Sequence, residues 1–379
     1  MNGKKYSIVH VINSAQIGGG MKHVYALCRH LPRDRFDLCL IADQGRFLVD
    51  ELRELDVPVH FVPLMKHRFN PSAVWQIARL VHRAKADLLH LHGTRAGFYG
   101  ALAKPLARVR RSVYTVHGFS FHKDIGPTGR MFYLAVERLC ARAHSRLISV
   151  SGTDRDEAIR LGICPPQQIQ TIYNGIDFTV FDPGAVNGYL RRTFGIEAQT
   201  PLIGTAARLV PQKGVEYFLE MARLIAGRRG DARFVVIGEG AQEAPLRQRA
   251  RRLGLEDRVL FIGPQHRMPE VYAGLDIFVL SSLWEGHPLS LIESLAMEKP
   301  SVASLTSGSP EIIDDGQTGF LVSPKDPVAL ADKVLWLLDH PERGRQMARE
   351  GRRRSLTRFD ESAMTAQTRR IYDDLLATR

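Results

Sequence analysis

Short apolar runs alternate along the whole chain with longer stretches whose apolar positions recur at helical spacing. In the first half the short runs are YSIVHVI, FDLCLIA, VPVHFV, ADLLHLH, SVYTVH, RLISVS and IQTIYN, separated by helical patterns such as MKHVYALCRHL and FYLAVERLCARA. Strand, helix, strand in steady succession predicts a parallel, doubly wound sheet. The segment FDPGAVNGYLRRTFGIEAQTP breaks that rhythm with Gly and Pro, and the alternation then restarts with LIGTAARL, RFVVIG, RVLFIG, DIFVLSS, PSVASL and FLVSP. The pattern therefore predicts an α/β chain of two Rossmann-like domains, residues 1–180 and 201–358, joined by a linker over 181–200. Residues 359–379, ending in DESAMTAQTRRIYDDLLATR, exceed what the second domain needs and are expected to pack back on the first. Sheets of this kind bind ligands at the carboxyl ends of their strands, so two of them predict a binding cleft between the halves.

A length of 379 residues supports two separate cores and makes this division comfortable. The opening MNGKKYSIVHVINS is basic, but its apolar run is short and ends in Asn13 and Ser14, so it reads as a first strand and not as a signal peptide. No apolar segment approaches bilayer-spanning length. Cys28, Cys39, Cys140 and Cys164 lack any Cys-x-x-Cys spacing, which argues against a disulfide framework or a zinc site and fits a reducing cytoplasm. The formal charge is +12, and it is uneven: residues 1–185 hold 25 basic against 15 acidic side chains, the rest of the chain 27 against 25. Candidate patches are Lys104 with Arg108, Arg110 and Arg111, then Arg79, Arg83 and Lys85, then Lys66 with Arg68. Such a field suits an anionic membrane surface, a phosphorylated substrate or nucleic acid. The last is disfavoured, because no helix-turn-helix, zinc finger or aromatic-studded basic strand accompanies the charge.

Candidate chemistry sits in the predicted strand-end loops. Gly18, Gly19 and Gly20 follow the first strand and precede a helix, where a backbone without side chains and free helix amides can approach an anion. VVIGEGAQE contains Gly238 and Gly240, but Glu243 occupies the third position of a dinucleotide fingerprint, so a nicotinamide site is not indicated. In AARLVPQKG, Arg208 ends a strand and Lys213 follows within the same loop; a guanidinium fork and an ammonium from one loop suit a diphosphate, although alone each would pass for a solvated surface cation. SSLWEGHPLSLIESLA places Glu285 and Glu293 on either side of Pro288, which suits the first turn of a helix. Carboxylates there would accept from sugar or ribose hydroxyls flanking a phosphate, or would simply be surface acids near a positive helix end. His92 and His117 each end a strand and precede a glycine. Asp154 and Asp156 have the acid-x-acid form of some metal sites, but they lie at a helix start, where acids are expected on dipole grounds, and no metal is assigned.

With these residues in view, the chain resembles glycosyltransferase family 4, the retaining enzymes of the two-domain GT-B fold. ARLVPQKG, VIGEG, FIGPQHRMPEVYAGLDIFVLSS, EGHPLSLIESLA and GSPEIIDDGQTGFLV follow one another in the family's order and spacing, and GGG, VHG and IYNGID support them from the first half. The resemblance implies that Glu293 holds the donor's ribose hydroxyls and that Arg208 and Lys213 neutralise its diphosphate. It implies that Glu285, Gly286, His287, Pro288 and Leu289 contact the donor sugar and phosphates. Gly19 and Gly20 would close on the diphosphate, Gly238 would mark a strand-end loop, and Gly263 and Gln265 would face the base. His117 would lie beside the transferred sugar, making it, with Glu285, Arg208 and Lys213, a candidate catalytic residue. Leaving-group charge met by fixed cations needs neither a metal nor a cofactor.

HLHGTRAGFYGALAKPLARVRRSVYTVHGFSFH looks most like bacterial enzymes that build lipid-linked or surface polysaccharide. The expected activity is thus transfer of a hexose or N-acetylhexosamine from a nucleotide-diphosphate sugar, UDP-linked before GDP-linked, to a glycan acceptor, with a cytoplasmic location on the inner face of the membrane. An epimerase on the same fold and a binding protein without turnover remain as alternatives.

Overall fold

The computed structural model describes residues 5–377 apart from 14, 17, 46, 68, 123, 124, 186 and 187. Arg68, grouped above with Lys66, lies outside the described residues. The chain forms two compact units, Met1–Gly175 together with Glu361–Arg379, and Ile176–Asp360.

Each apolar run quoted above contains a strand. In the first unit these are β1 (Tyr6–Ile12), β2 (Phe36–Ala42), β3 (Val59–Phe61), β4 (Leu88–His92), β5 (Arg111–Val116), β6 (Arg146–Ser149) and β7 (Ile169–Thr171). All pair in parallel in the order β3-β2-β1-β4-β5-β6-β7. The second unit holds β8 (Leu202–Ala206), β9 (Arg233–Ile237), β10 (Val259–Phe261), β11 (Ile277–Leu280), β12 (Ser301–Ser304) and β13 (Phe320–Val322). These too are parallel, in the order β10-β9-β8-β11-β12-β13. In each sheet the order reverses between the first strand and its later neighbour, β1 beside β4 and β8 beside β11. Loops leaving those strand ends diverge to opposite faces, which opens a crevice there.

Helices cover both faces of the first sheet because its strands are apolar on both sides: Val9, Val11, Leu89 and Leu91 join one core, Ile8, Ile12, Leu38 and Leu40 the other. The second core is built on Ile203, Phe234, Val236, Val279 and Val302 against the helices Val215–Ala226 and Pro327–Asp339. Residues 181–200 carry a helix, Tyr189–Thr193, within the second unit; Leu190 is buried, and Arg191 bonds the Gly274 and Thr200 carbonyls and the Asp276 carboxylate.

The C-terminal helix Glu361–Ala377 belongs to the first unit, in line with the sequence expectation. Tyr372 is fully buried with its ring edge against Phe36 and its hydroxyl on His90 Nδ1, and Glu361 receives His30 Nε2 at 2.8 Å. The four cysteines are unpaired, and burial pushes the Cys28 thiol up to about 12. No helix among the described residues is long and apolar enough to cross a membrane.

Candidate functional site

The loops after β8 and β11 are tied together. After Arg208 the chain makes a short 3-10 turn, Pro211–Lys213, whose Gln212 carbonyl accepts from Leu283 N at 2.8 Å and whose Gln212 amide donates to the Trp284 carbonyl at 3.0 Å. Gly214 makes the close approach possible: its φ is +55°, and a Cβ there would stand 2.3 Å from the Ser281 carbonyl oxygen. This brings Lys213 Nζ to 2.5 Å from Glu285 Oε1, which also accepts from Ser282 Oγ at 2.7 Å. The pair is largely withdrawn from water, with side-chain exposures of 16% for Lys213 and 7% for Glu285. Oε1 thus carries both donors, and Oε2 makes no hydrogen bond among the described residues. Arg208, by contrast, is exposed, and its guanidinium has no hydrogen bond or ion pair among the described residues. One loop therefore presents a cation held by a carboxylate and a second cation open to solvent.

Pro288 immediately precedes the helix Leu289–Ala296, so the helix begins one residue later than the sequence suggests. A Cβ at Gly308 would meet the Gly286 carbonyl oxygen at 1.9 Å, which shows how tightly the loop after β12 lies on the Gly286–His287 turn. His287 is buried with its ring edge-on to Phe359 at 4.9 Å; burial, with Arg358 adding to it and Glu311 opposing, lowers it to about 3. Its imidazole is thus a neutral packing group, and the turn has its backbone to offer a ligand. Glu293 is buried in the helix and accepts from Tyr272 Oη at 3.0 Å. Burial first, then the Glu293 charge and hydrogen bond, hold the Tyr272 phenol well above its usual range, so it remains a donor. Tyr272 was not singled out in the sequence; its only signal is an aromatic with a polar end in a helix next to a buried acid.

Gly238 turns the chain after β9, with a φ of +129° that places its α-carbon against the Ala207 carbonyl, and its N–H donates to the Gly263 carbonyl at 2.9 Å. Gln265 donates to the Ile262 carbonyl at 2.8 Å and accepts from Tyr189 Oη at 3.4 Å, and Arg267 stacks over Tyr189 at 4.6 Å. The loops after β8, β9, β10 and β11 thus gather Arg208, Lys213, Gly238, Gly263, Gln265 and Glu285 at the carboxyl end of one sheet.

In the first unit, Gly19 and Gly20 open the helix Gly19–His30. A Cβ on Gly20 would lie 3.2 Å from Ile12 Cδ1 and 3.9 Å from His117 Cδ2, so the glycine turn and His117 are neighbours. His117 Nε2 faces His92 Nδ1 at 3.4 Å, and burial with the nearby His23 keeps His117 well below the usual imidazole range. The sequence indicated His92 and His117 but not that His10, His23 and His90 join them.

One sequence reading is corrected. Lys104 is not a free member of a basic patch: its ammonium donates to the Ala143 carbonyl at 2.8 Å and is half-buried, which lowers it. Asp154 lies in the first turn of the helix Gly152–Arg160, where the sequence reading put it; it is fully buried beside His122, whereas Asp156 is exposed and pairs with Arg155, so the two acids do not converge. A depression of about 440 Å³ lined by Gln44, Gly45, Val49, Asp50, Arg53 and Phe61 contains none of the residues above.

Comparison with known proteins gives the chain's family. Residues 189–354 match the family described as glycosyl transferases group 1, and residues 17–180 match glycosyltransferase family 4. A putative glycosyltransferase, EpsD of Bacillus subtilis, is 30% identical over 319 residues, 82% of this chain and 83% of the relative. An Escherichia coli protein named UDP-Gal:alpha-D-GlcNAc-diphosphoundecaprenol alpha-1,3-galactosyltransferase is 28% identical over 343 residues, 88% of each chain. Among solved structures, Anabaena HepE in complex with UDP and glucose superposes with a TM-score of 0.84 at 22% identity, covering 97% of this chain and all of that one.

Proposed function

The chain belongs to the retaining glycosyltransferases of family 4 and has the GT-B fold, and from that premise we propose that it moves a hexose or N-acetylhexosamine from a UDP-sugar to a lipid-linked glycan acceptor. The observation that carries the reading is the pairing at the β8 and β11 ends: Lys213 fixed at 2.5 Å from Glu285, with Arg208 exposed in the same loop and without an ion pair among the described residues. A nucleotide-diphosphate leaving group gains charge as the glycosidic bond breaks. Cations already held in place stabilise that charge without reorganising, and such fixed electrostatic stabilisation usually lowers the barrier more than any other effect. The amides at the start of the helix Leu289–Ala296 add to it.

In this proposal Glu293, kept in register by Tyr272, accepts from the two ribose hydroxyls. Glu285 directs its second oxygen to a hydroxyl of the donor sugar while the first holds Lys213. The turn of Gly286, His287, Pro288 and Leu289 meets the sugar and phosphates through its backbone, and Gly238, Gly263 and Gln265 bound the nucleotide. Gly19, Gly20 and His117 keep the roles toward diphosphate and sugar that the resemblance implies. The second unit is then the donor domain and the first the acceptor domain. The name of the E. coli relative, which carries both a UDP-sugar and an undecaprenyl diphosphate, supports the choice of donor nucleotide and of a lipid-linked acceptor.

The decisive experiment incubates the protein with a panel of UDP- and GDP-sugars, with and without a GlcNAc-diphospholipid acceptor, and follows nucleotide release. Consumption of a UDP-sugar that rises with the lipid acceptor is expected; activity confined to GDP-sugars, or none with any donor, would sink the proposal. A membrane-resident acceptor also calls for adsorption through the exposed cations Arg79, Arg83, Lys85, Arg108 and Arg110. Flotation with phosphatidylglycerol vesicles is expected to exceed that with phosphatidylcholine vesicles and to fall as salt is added. Equal flotation would remove the electrostatic part.

A further inference from the structure

Five imidazoles, His10, His23, His90, His92 and His117, form one cluster in the first unit, the first four buried and His117 half-buried, with successive ring centroids 4.1 to 5.6 Å apart. The proposed transfer reaction uses only His117. Hydrogen bonding fixes how the others are turned. His23 Nδ1 lies 3.0 Å from Asn174 Oδ1, an amide oxygen that only accepts, so the His23 proton is on Nδ1. Its Nε2 lone pair is buried without a hydrogen-bond partner among the described residues. His92 Nδ1 and His117 Nε2 are 3.4 Å apart. Two imidazoles on one tetrahedral ion, with metal–nitrogen bonds of about 2.0–2.1 Å, hold their donor atoms about 3.3–3.4 Å apart. One nitrogen from each of His23, His92 and His117 lies within 4.8 Å of the others.

From this we infer that His23, His92 and His117 form a binding site for a divalent cation of the zinc class, three neutral imidazoles with a fourth position open. The supporting contacts are those a metal-ligating histidine requires, its second nitrogen donating to a fixed acceptor. His23 donates to Asn174, and with Nδ1 turned to the ion, His92 donates from Nε2 to His10 Nδ1 at 3.1 Å. The overlapping trio of His10, His90 and His92 is less suited, because both nitrogens of His90 are taken, by Tyr372 Oη and by Thr115 Oγ1 at 2.7 Å. On the proposed function His117 lies beside the transferred sugar, so an ion held there would compete with that role.

The test needs no sugar transfer and stands apart from the functional reading. The full chain is stripped with EDTA, incubated with zinc chloride, desalted and assayed for metal; cobalt chloride is titrated in parallel for tetrahedral d–d absorption. One zinc per chain and the cobalt band are expected, both lost in His23→Gln. Asn174→Ala, which leaves all three donors in place, should weaken zinc binding by about tenfold or more. If His23→Gln does not fold, the Asn174→Ala titration decides, and unchanged affinity overturns the inference. It is also overturned if the wild-type chain keeps no zinc, or if zinc survives His23→Gln and is lost in Glu157→Gln, which would place it at His122, Asp154 and Glu157.

Discussion

Arg208 and Lys213 carry the same charge in different surroundings, and this separates their variants. On the proposed function, Arg208→Ala and Lys213→Ala each remove a cation that would meet the leaving group, so turnover should fall by about 10²–10³-fold, the cost typical of losing one preorganised stabilising group. Arg208 is exposed and has no ion pair among the described residues, so its loss leaves the melting temperature nearly unchanged. Lys213→Ala strands Glu285, only 7% exposed, without its counter-charge, at a cost of up to about 3–5 kcal/mol. Steady-state kinetics beside thermal melts will show one variant inactive but stable and the other impaired in both; equal melts would mean that the pair contributes nothing to folding. Tyr272→Phe tests positioning: Glu293 loses a donor at 3.0 Å, and the expected result is a roughly tenfold higher KM for the UDP-sugar with kcat little changed, since a hydrogen bond to a charged group is worth about 1.5–3 kcal/mol. A matching loss in kcat would give Tyr272 a different role. The charged residues were legible from sequence, their partners were not: Lys213 and Glu285 are 72 positions apart, and nothing local says that one loop folds onto the other.

Every strand was legible as an element because parallel sheets covered on both faces need continuous apolar runs, and those runs stand out against amphipathic helices. Less legible was where helices begin and how loops close. The helix after Pro288 starts a residue later than its proline suggests, and Lys104, polar in sequence, reaches from its own helix to the Ala143 carbonyl at the end of the helix Gly126–Ala143. The closing of the β8 and β11 loops rests on Gly214, whose left-handed φ of +55° and 2.3 Å approach to the Ser281 carbonyl leave no room for a methyl group. Gly214→Ala must therefore shift the Ser281–Glu285 segment, and a cost of about 1–3 kcal/mol is expected with a larger loss of activity than of stability. A denaturant melt and kcat/KM measured on the same preparation check this; an intact kcat/KM would show that the loops need not meet.

At the scale of the molecule, buried neutral histidines make stability depend on pH. Burial lowers His144 to about 4 in the first unit, with Lys104 adding to it and the Gly97 carbonyl opposing; His287 in the second unit falls to about 3. The unfolded chain takes up these protons near 6.5 and the folded chain does not, so stability is full above pH 6.5 and declines as pH falls toward those lower values. Each group contributes a slope of about 1.4 kcal/mol per pH unit inside its window. Urea melts between pH 7 and 5 should show a falling midpoint, less steep in His144→Gln; a flat profile would mean that these rings protonate in place. The net charge of +12 was legible at once, but the burial of His144 and His287 was not, because one caps a helix and the other sits in a turn, and nothing local marks either as covered.

The first unit takes Glu361–Arg379 from beyond the end of the second. A ribosome delivers the amino end first, so residues 176–360 emerge before the helix that covers Phe36 and caps His90 through Tyr372. At about 5–20 residues per second, that stretch occupies roughly 10–40 s of translation. During this interval the earlier-made sheet lacks the helix that completes the core around Phe36, whereas the later-made unit, once residue 360 has emerged, needs nothing made after it. The nascent chain is thus exposed to chaperone capture on its first half, and vectorial synthesis completes the second unit first.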